Sequence, residues 1–514
     1  MQTIDKVSEA SAGQARPANG ASFCPQSSRR FVLIAAILAS ALGFIDGSVL
    51  AIAIPAIRVD LGASLAQAQW ISNAYALTLS ALILAGGAAG DRFGLRGTFI
   101  AGIGLFILAS LACALAPNPP VLVLFRAIQG IGAAIMVPCS LAIIAKAYPK
   151  NERGRAIGIW AAASALTTAL GPVLGGLLIA SFNESIWRAI FAINLPLGAV
   201  SIYLLFAKVP ADKPTEKRAL DLGGAALATL AFGVLAYGLT ALNGKGEGGL
   251  SGMSIAAGIV LLVVFIGWEI KQREPMIDLG LFRSPAFAGA NLSTFFLYFA
   301  LSANLFYLPM LLIAGWGLSA GEVGFIFLPL SGFIALLSGR VGRFSDKAGP
   351  RLPLAVGSLL VAFAFAGMAL LAFAGFHHFW TGIFPLMALL GLGMALVVSP
   401  LSTAIVTAVE DKDTGAASGI NNAVSRIGGL IAVAAMGSVA AVVYAKTLGG
   451  AGGADAPGFG EPVQAGMAHS LDLARMAASD TAFAAVALVT AVLCLLSAIV
   501  AWMTIPGNQS GSGA

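Results

Sequence analysis

From Phe31 to Ile57 the chain carries a single charged residue, Asp46, in an otherwise apolar run introduced by Arg29 and Arg30. At about 1.5 Å of rise per residue, such a run crosses the ~30 Å hydrocarbon core of a bilayer, which needs roughly 20 mostly apolar residues. It is too long for a signal-peptide core and no small-residue cleavage site ends it, so it reads as a retained first helix. Similar runs fill the rest of the chain. Charged residues are 10% of the total, against roughly 25% in soluble domains, too few to cover a water-facing surface. Nothing alternates apolar with polar residues as β-barrel strands do.

Breaking the sequence at Gly, Pro and charge clusters predicts fourteen spans, near 31–57, 68–90, 97–116, 119–144, 155–180, 187–208, 219–242, 253–272, 284–313, 321–340, 352–374, 378–408, 414–444 and 481–504. The expected fold is an all-α polytopic membrane protein. Of its 29 Lys and Arg residues, all but Arg58, Arg126, Arg188, Lys245, Arg426, Lys446 and Arg475 fall in the N-terminal tail or in alternate loops. The positive-inside rule then places both termini in the cytoplasm. The Gly- and Ala-rich stretch 445–480 becomes the one sizeable loop on the opposite side. Scattered in this way, the net charge of +6 is a topology signal and not a nucleic-acid surface.

"GAAGDRFGLR" (87–96) and "GRFSDKAGPR" (342–351) share the pattern Gly-x-x-x-Asp-basic-x-Gly-x-Arg at a displacement of 255 residues. Gly87, Asp91, Arg92, Gly94 and Arg96 correspond to Gly342, Asp346, Lys347, Gly349 and Arg351. One copy follows span 2 and the other span 10, on the same side of the membrane. "ERGRAIG" (152–158) and "DKDTGAASG" (411–419) echo the relation. The repeat implies two parallel six-helix bundles with two helices inserted between them, and a binding site near the midplane between the halves. The expected divisions are a disordered tail (1–30), an N-terminal bundle (31–208), the inserted pair with its loops (209–280), a C-terminal bundle (281–505) and a short tail (506–514).

Cys24 lies in the expected tail, and Cys113, Cys139 and Cys494 fall inside spans as small apolar residues. No disulfide framework follows. His377, His378 and His469 show no metal-ligand spacing, so neither a metal nor any other cofactor is expected. No Gly-x-x-x-x-Gly-Lys-Ser/Thr loop is present to use ATP, and no Ser/His/Asp or Cys/His arrangement suggests an enzyme. A transporter without ATP runs downhill or couples to an ion. Coupling to protons requires a group within the membrane that changes its charge. Asp46 is the candidate, roughly 16 Å from the far end of its span by helical rise. A carboxylate at that depth must be paired, hydrated or protonated. Arg126, ~10 Å into span 4, is its natural partner. Arg426, near mid-depth in span 13, carries a second positive charge and is a candidate to line the cavity.

Gly171 and Gly175 share a face of span 5 and allow close backbone approach, while Pro172 interrupts its hydrogen bonding. Trp70, Tyr75, Phe295, Phe296, Tyr298, Phe306 and Tyr307 are candidates to stack on planar or cationic ligands in a cavity. Gln129, Asn194 and Asn304 are candidate polar contacts there.

These stretches resemble the major facilitator superfamily, in particular its fourteen-helix drug:proton antiporters. "GAAGDRFGLR" is similar to the family's loop signature, with Leu95 where a basic residue is usual. "LFRAIQGIGAA", containing Arg126, Gln129 and Gly130, resembles its helix 4 signature. "GPVLGG", residues Gly171, Pro172, Gly175 and Gly176 among them, resembles the antiporter signature of helix 5, with Thr167 where the family has Gly. "FIDGSVLAIAIP" (44–55), "WRAIFAINLP" (187–196) and "EPMIDLGLFRSPAF" (274–287) resemble the fourteen-helix branch. The resemblance implies a multidrug efflux transporter of the inner membrane that exchanges lipophilic, often cationic, compounds for protons by alternating access. It implies that helices 1 and 4 line the cavity, that Asp46 and Arg126 serve proton coupling, and that the loop motifs gate the halves, with Asp91 engaging neighbouring helix ends or basic residues. The partners expected are a small-molecule substrate, protons and the lipid bilayer; no residue pattern identifies a periplasmic adaptor. Two rivals are a dedicated exporter of one endogenous metabolite or antibiotic and a non-transporting membrane scaffold.

Overall fold

A computed structural model describes residues 24–212, 221–242, 248–272, 275–449, 457–461 and 467–507. Among these, fourteen helices are long and apolar enough to cross a membrane, and no strand occurs. They are α1 (Gln26–Leu61), α2 (Leu65–Phe93), α3 (Leu95–Ala114), α4 (Pro119–Ala147), α5 (Asn151–Ser181), α6 (Glu184–Lys208), α7 (Leu222–Ala241), α8 (Gly249–Lys271), α9 (Pro285–Gly315), α10 (Ala320–Ala348), α11 (Arg351–Phe373), α12 (Phe379–Thr407), α13 (Thr414–Leu448) and α14 (His469–Thr504). An even number of crossings puts Gln26 and Thr504 on one face, here the termini face; the opposite one is the far face.

Local chemistry sets the helix ends. Gly62, at φ +62°, closes α1 in the left-handed conformation. Ser64 and Gln67 then form a reciprocal capping box that starts α2. Asn118 caps α4 with Pro119 and Pro120 in its first turn. Ser284, before Pro285, does the same for α9.

Packing repeats between the halves. In the first, α2 and α3 pack on α4, α1 on α5 and α6, and α3 on α6. In the second, α10 and α11 pack on α12, α9 on α13 and α14, and α11 on α14. Each helix of the first bundle thus maps onto the helix eight places later. Across the seam α2 meets α13 and α5 meets α10, the two contacts that this correspondence exchanges. The inserted hairpin breaks the symmetry. α7 packs against α2 and α13, with the Ser438 hydroxyl donating to the Leu239 carbonyl at 2.5 Å, while α8 packs on α7 and turns Val260, Val263 and Ile266 outward. At its termini-face end Asp221 and Glu269 face one another across Gly224.

Two expectations are corrected at the helix ends. Residues 26–30, expected in the disordered tail, are the first turn of α1, and Cys24 is buried. The far-face loop expected over 445–480 is shorter, because α13 runs to Leu448 and α14 begins at His469. Asp472, Arg475 and Asp480 are therefore helical. Their charges lower the hydropathy of this stretch, but each is compensated. Arg475 pairs with Asp472 at 2.9 Å and donates to the carbonyls of Ala314 and Gly315, where α9 ends in a π-turn. Asp480 accepts from Trp316 and contacts His377, both at 2.7 Å.

Candidate functional site

Gly130 brings α2 against α4: a Cβ there would collide with the Thr78 hydroxyl and the Tyr75 carbonyl. At this close approach Arg126 of α4 donates from Nε to the Ile71 carbonyl of α2 at 3.0 Å and lies over the Tyr75 ring, 4.4 Å from its centroid. The same guanidinium reaches α1, where Nη1 meets Asp46 Oδ2 at 2.5 Å. Gln129, one turn beyond Arg126, accepts from it at 2.6 Å and donates to Asp46 Oδ1 at 3.1 Å. Its amide also donates to Ser110 Oγ of α3 at 2.8 Å, and Asn194 of α6 donates to the same hydroxyl at 3.2 Å. Asp46, Arg126, Gln129, Ser110 and Asn194 are all at most 1% exposed. Five helices of one half thus converge on one hydrogen-bonded ion pair. Pairing and hydrogen bonding are what make two charges tolerable at this depth; losing one partner of such a pair costs about 3–5 kcal/mol.

The depths inferred from helical rise therefore bring Asp46 and Arg126 together, and Gln129 and Asn194 join them as polar contacts. Tyr75, expected to stack on a ligand, stacks on Arg126. Ser110 was missed; a single Ser within an apolar helix carries no signal of the face it occupies. Three candidates lie elsewhere. Trp70 packs against Leu77, Ala236, Leu430 and Ala434 at the seam of α2, α7 and α13. Asn304 donates to Ala300 O and Thr490 Oγ1 between α9 and α14. Tyr307, also an aromatic candidate, donates to Val433 O and accepts from Gln69, bridging α9, α13 and α2. Arg426 stands opposite the ion pair on the other half. It has no ion pair or hydrogen bond among the described residues, and its buried Nε is unpartnered.

The helix 5 motif holds two contacts at once. Gly171 and Gly175 face α1 at Ser48 and Val49, and Gly176 faces α10 at the Ala320 carbonyl. On the α10 side a Cβ at Gly324 would sit 2.7 Å from the Pro172 carbonyl. The halves are therefore closed against each other at the far face. Arg58 of α1 adds to that closure by donating to Phe459 O at 2.8 Å and pairing with Glu461 at 2.9 Å.

The two loop motifs repeat in backbone geometry. Gly94 and Gly349 both take positive φ, +95° and +80°, at the junction where one helix stops and the next begins. Gly87 and Gly342 sit against Pro138 of α4 and Ser399 of α12, again eight helices apart. Their charged partners differ. In the first copy Asp212, beyond α6, accepts from the N–H groups of Leu95 and Arg96 at 3.0 and 2.9 Å and pairs with Lys146 at 2.9 Å. Arg96 donates to the carbonyls of Leu205 and Phe206. Burial opposes the charge on Asp212, but the Arg96 N–H, the Lys146 ammonium and the Leu95 N–H outweigh it and hold the carboxyl below its ordinary value of 3.8. Asp212 therefore caps the N-terminus of α3; Asp91 and Arg92 are exposed. In the second copy Arg351 lies over the Trp502 ring at 4.2 Å, and Asp346 and Lys347 are exposed.

Residues 36–433 match the family described as Major Facilitator Superfamily. The multidrug resistance protein Stp of Mycobacterium tuberculosis (strain CDC 1551 / Oshkosh) is 33% identical over 424 residues, 80% of this chain and 76% of that protein. The tetracenomycin C resistance and export protein of Streptomyces glaucescens is 32% identical over 430 residues, 82% of this chain and 78% of its own length. The methylenomycin A resistance protein of Streptomyces coelicolor (strain ATCC BAA-471 / A3(2) / M145) is 30% identical over 417 residues, covering 78% and 85%. Among solved structures, a bacterial homologue of the human lysosomal transporter Spinster superposes with a TM-score of 0.64 at 19% identity, over 93% of this chain and 97% of that one. The xylose transporter XylE from E. coli gives 0.61 at 17% identity, over 94% and 97%. With the repeated packing of its two bundles and a family match over most of its length, the chain is a multi-pass membrane protein that belongs to the major facilitator superfamily.

Proposed function

We propose that this protein exports lipophilic, drug-like compounds across the cell (inner) membrane in exchange for protons, by alternating access. The observation that carries the reading is the buried Asp46–Arg126 pair, tied to Gln129 and Ser110. Arg126 is anchored independently of Asp46, through the Ile71 carbonyl and the Tyr75 ring. Protonating Asp46 therefore removes the charge that binds α1 to α4 while leaving the guanidinium in place. That is how a proton can alter the packing of the first half. The names of the relatives, which include multidrug resistance and antibiotic export proteins, support an outward drug cargo.

The two halves, 31–208 and 281–505, would rock about this centre with the inserted pair riding on the α2–α13 seam. The loop motifs would act as cytoplasmic latches and the α5–α10 contact as the outer gate. The distribution of Lys and Arg supports a cytoplasmic position for the termini face. The driving force is adequate: one charge crossing 100 mV contributes about 2.3 kcal/mol before any pH gradient. Ethidium efflux from energised cells, with and without a protonophore, tests the reading. Efflux that stops when the gradient collapses is expected; efflux indifferent to the gradient overturns proton exchange. A panel of unrelated dyes distinguishes multidrug export from a single dedicated cargo.

A further inference from the structure

Among the described residues three charges, Asp46, Arg126 and Arg426, lie deep in the bundles, and only the first two compensate each other. Asp46 has its oxygens engaged by Arg126 and Gln129, so no free carboxylate is offered to a cationic cargo in this state. Arg426, on the α13 face turned to the other half, has no ion pair or hydrogen bond among the described residues. It lies within electrostatic range of two phenols, Tyr75 of α2 and Tyr298 of α9. Neither hydroxyl makes a hydrogen bond among the described residues, and Tyr75 also feels Asp46 and Arg126. The cation and the two phenols come from α2, α9 and α13, on both sides of the seam. An unpaired guanidinium within a membrane helix is costly and marks a substrate pathway more often than a packing contact. Its planar fork of donors matches a carboxylate or an ionised phenol.

We propose that Arg426 is the cargo-binding cation of the central site, and that the transported class is a lipophilic compound bearing an acidic group. This rests on the export reading above and refines the cationic cargo expected from the family resemblance. Because both halves contribute, the anion would be bound only while α2 and α13 hold their present relation.

The test uses purified full-length protein and two planar tricyclic dyes, anionic fluorescein and cationic ethidium. Binding is read by fluorescence anisotropy and transport in proteoliposomes with an imposed proton gradient. Arg426→Gln should weaken fluorescein binding roughly ten- to a hundred-fold, the range expected for losing charge-assisted hydrogen bonds. Arg426→Lys should retain part of the affinity, and ethidium should be little affected. Since Arg426 holds no partner among the described residues, Arg426→Gln should melt at or above the wild-type temperature, and fluorescein should raise the melting temperature of the wild type alone. Unchanged fluorescein binding in Arg426→Gln overturns the inference, as does a parallel loss of both dyes or a lowered melting temperature. So does a wild-type protein that moves ethidium but neither binds nor moves fluorescein, an outcome that leaves the export reading standing. A wild type that moves neither dye along the gradient overturns the export reading and the inference with it.

Discussion

Asp46 shows how far depth alone carries an argument. One acidic residue in a long apolar run must be compensated, and the helical rise puts Arg126 near the same level. What rise cannot give is azimuth, the direction in which a side chain points around its helix. The Ile71 carbonyl, Ser110 and the Tyr75 ring complete the site laterally, and nothing in the apolar sequence around them marks a face. The same gap misplaced Trp70 and Asn304, since α2 and α9 are apolar nearly all round and buried on several sides. Asp46→Asn keeps the shape and the contact with Gln129 but removes the charge. We expect uphill efflux to fall to background in proteoliposomes while downhill exchange of labelled substrate persists; retained uphill transport would remove Asp46 from proton coupling. At the membrane edge, Asp212→Asn keeps an oxygen for the α3 N-terminus but loses the charge that pairs with Lys146, and should cost about 1 kcal/mol. Because the carboxyl of Asp212 is held below 3.8, its contribution is complete above that pH and disappears as the pH drops through the lower folded-state value. Melting temperatures of the variant and wild type should therefore differ at pH 7 and converge in strong acid.

Elements were legible where composition and end chemistry agree. Fourteen apolar spans were expected and fourteen are found. The exceptions lie where polar residues belong to helices: the first turn of α1 and the start of α14, whose charges are paid for by contacts with α9 and with His377. The glycines of α5 and the loop motifs act at this scale. At Gly176 a Cβ would press on the Ala320 carbonyl. Gly176→Leu should oppose closure of the far face by about 1–3 kcal/mol, the usual range for overpacking. It should make a cysteine at position 321 more reactive to an impermeant thiol reagent from the far side, without loss of membrane insertion. Gly94 and Gly349 hold equivalent positive-φ positions. Gly94→Ala and Gly349→Ala should each lower stability by about 1–2 kcal/mol, and similar melting-temperature losses at both would support the matched roles of the two junctions.

For the whole molecule, the 255-residue displacement predicts two parallel bundles, and the packing of each helix, repeated by the helix eight places on, bears this out. Closure of the far face was not legible, because it joins Arg58 in α1 to Phe459 and Glu461 across about 400 residues. Glu461→Gln should weaken that closure by up to about 1 kcal/mol, as expected for a half-exposed ion pair, and raise far-side thiol accessibility less than Gly176→Leu does. Equal accessibility in variant and wild type would show that glycine packing alone holds the face shut. Apolar run length and spacing alone set the solvent, the number of crossings, the two-fold repeat and the depths of Asp46 and Arg126. Those follow from the length and hydropathy of runs along one dimension. The three-dimensional packing set which charges neutralise each other, which helix faces touch, where the inserted hairpin sits and that Arg426 has no ion pair among the described residues. Each of these depends on rotation about helix axes and on contacts between distant segments, which a one-dimensional apolar pattern does not encode.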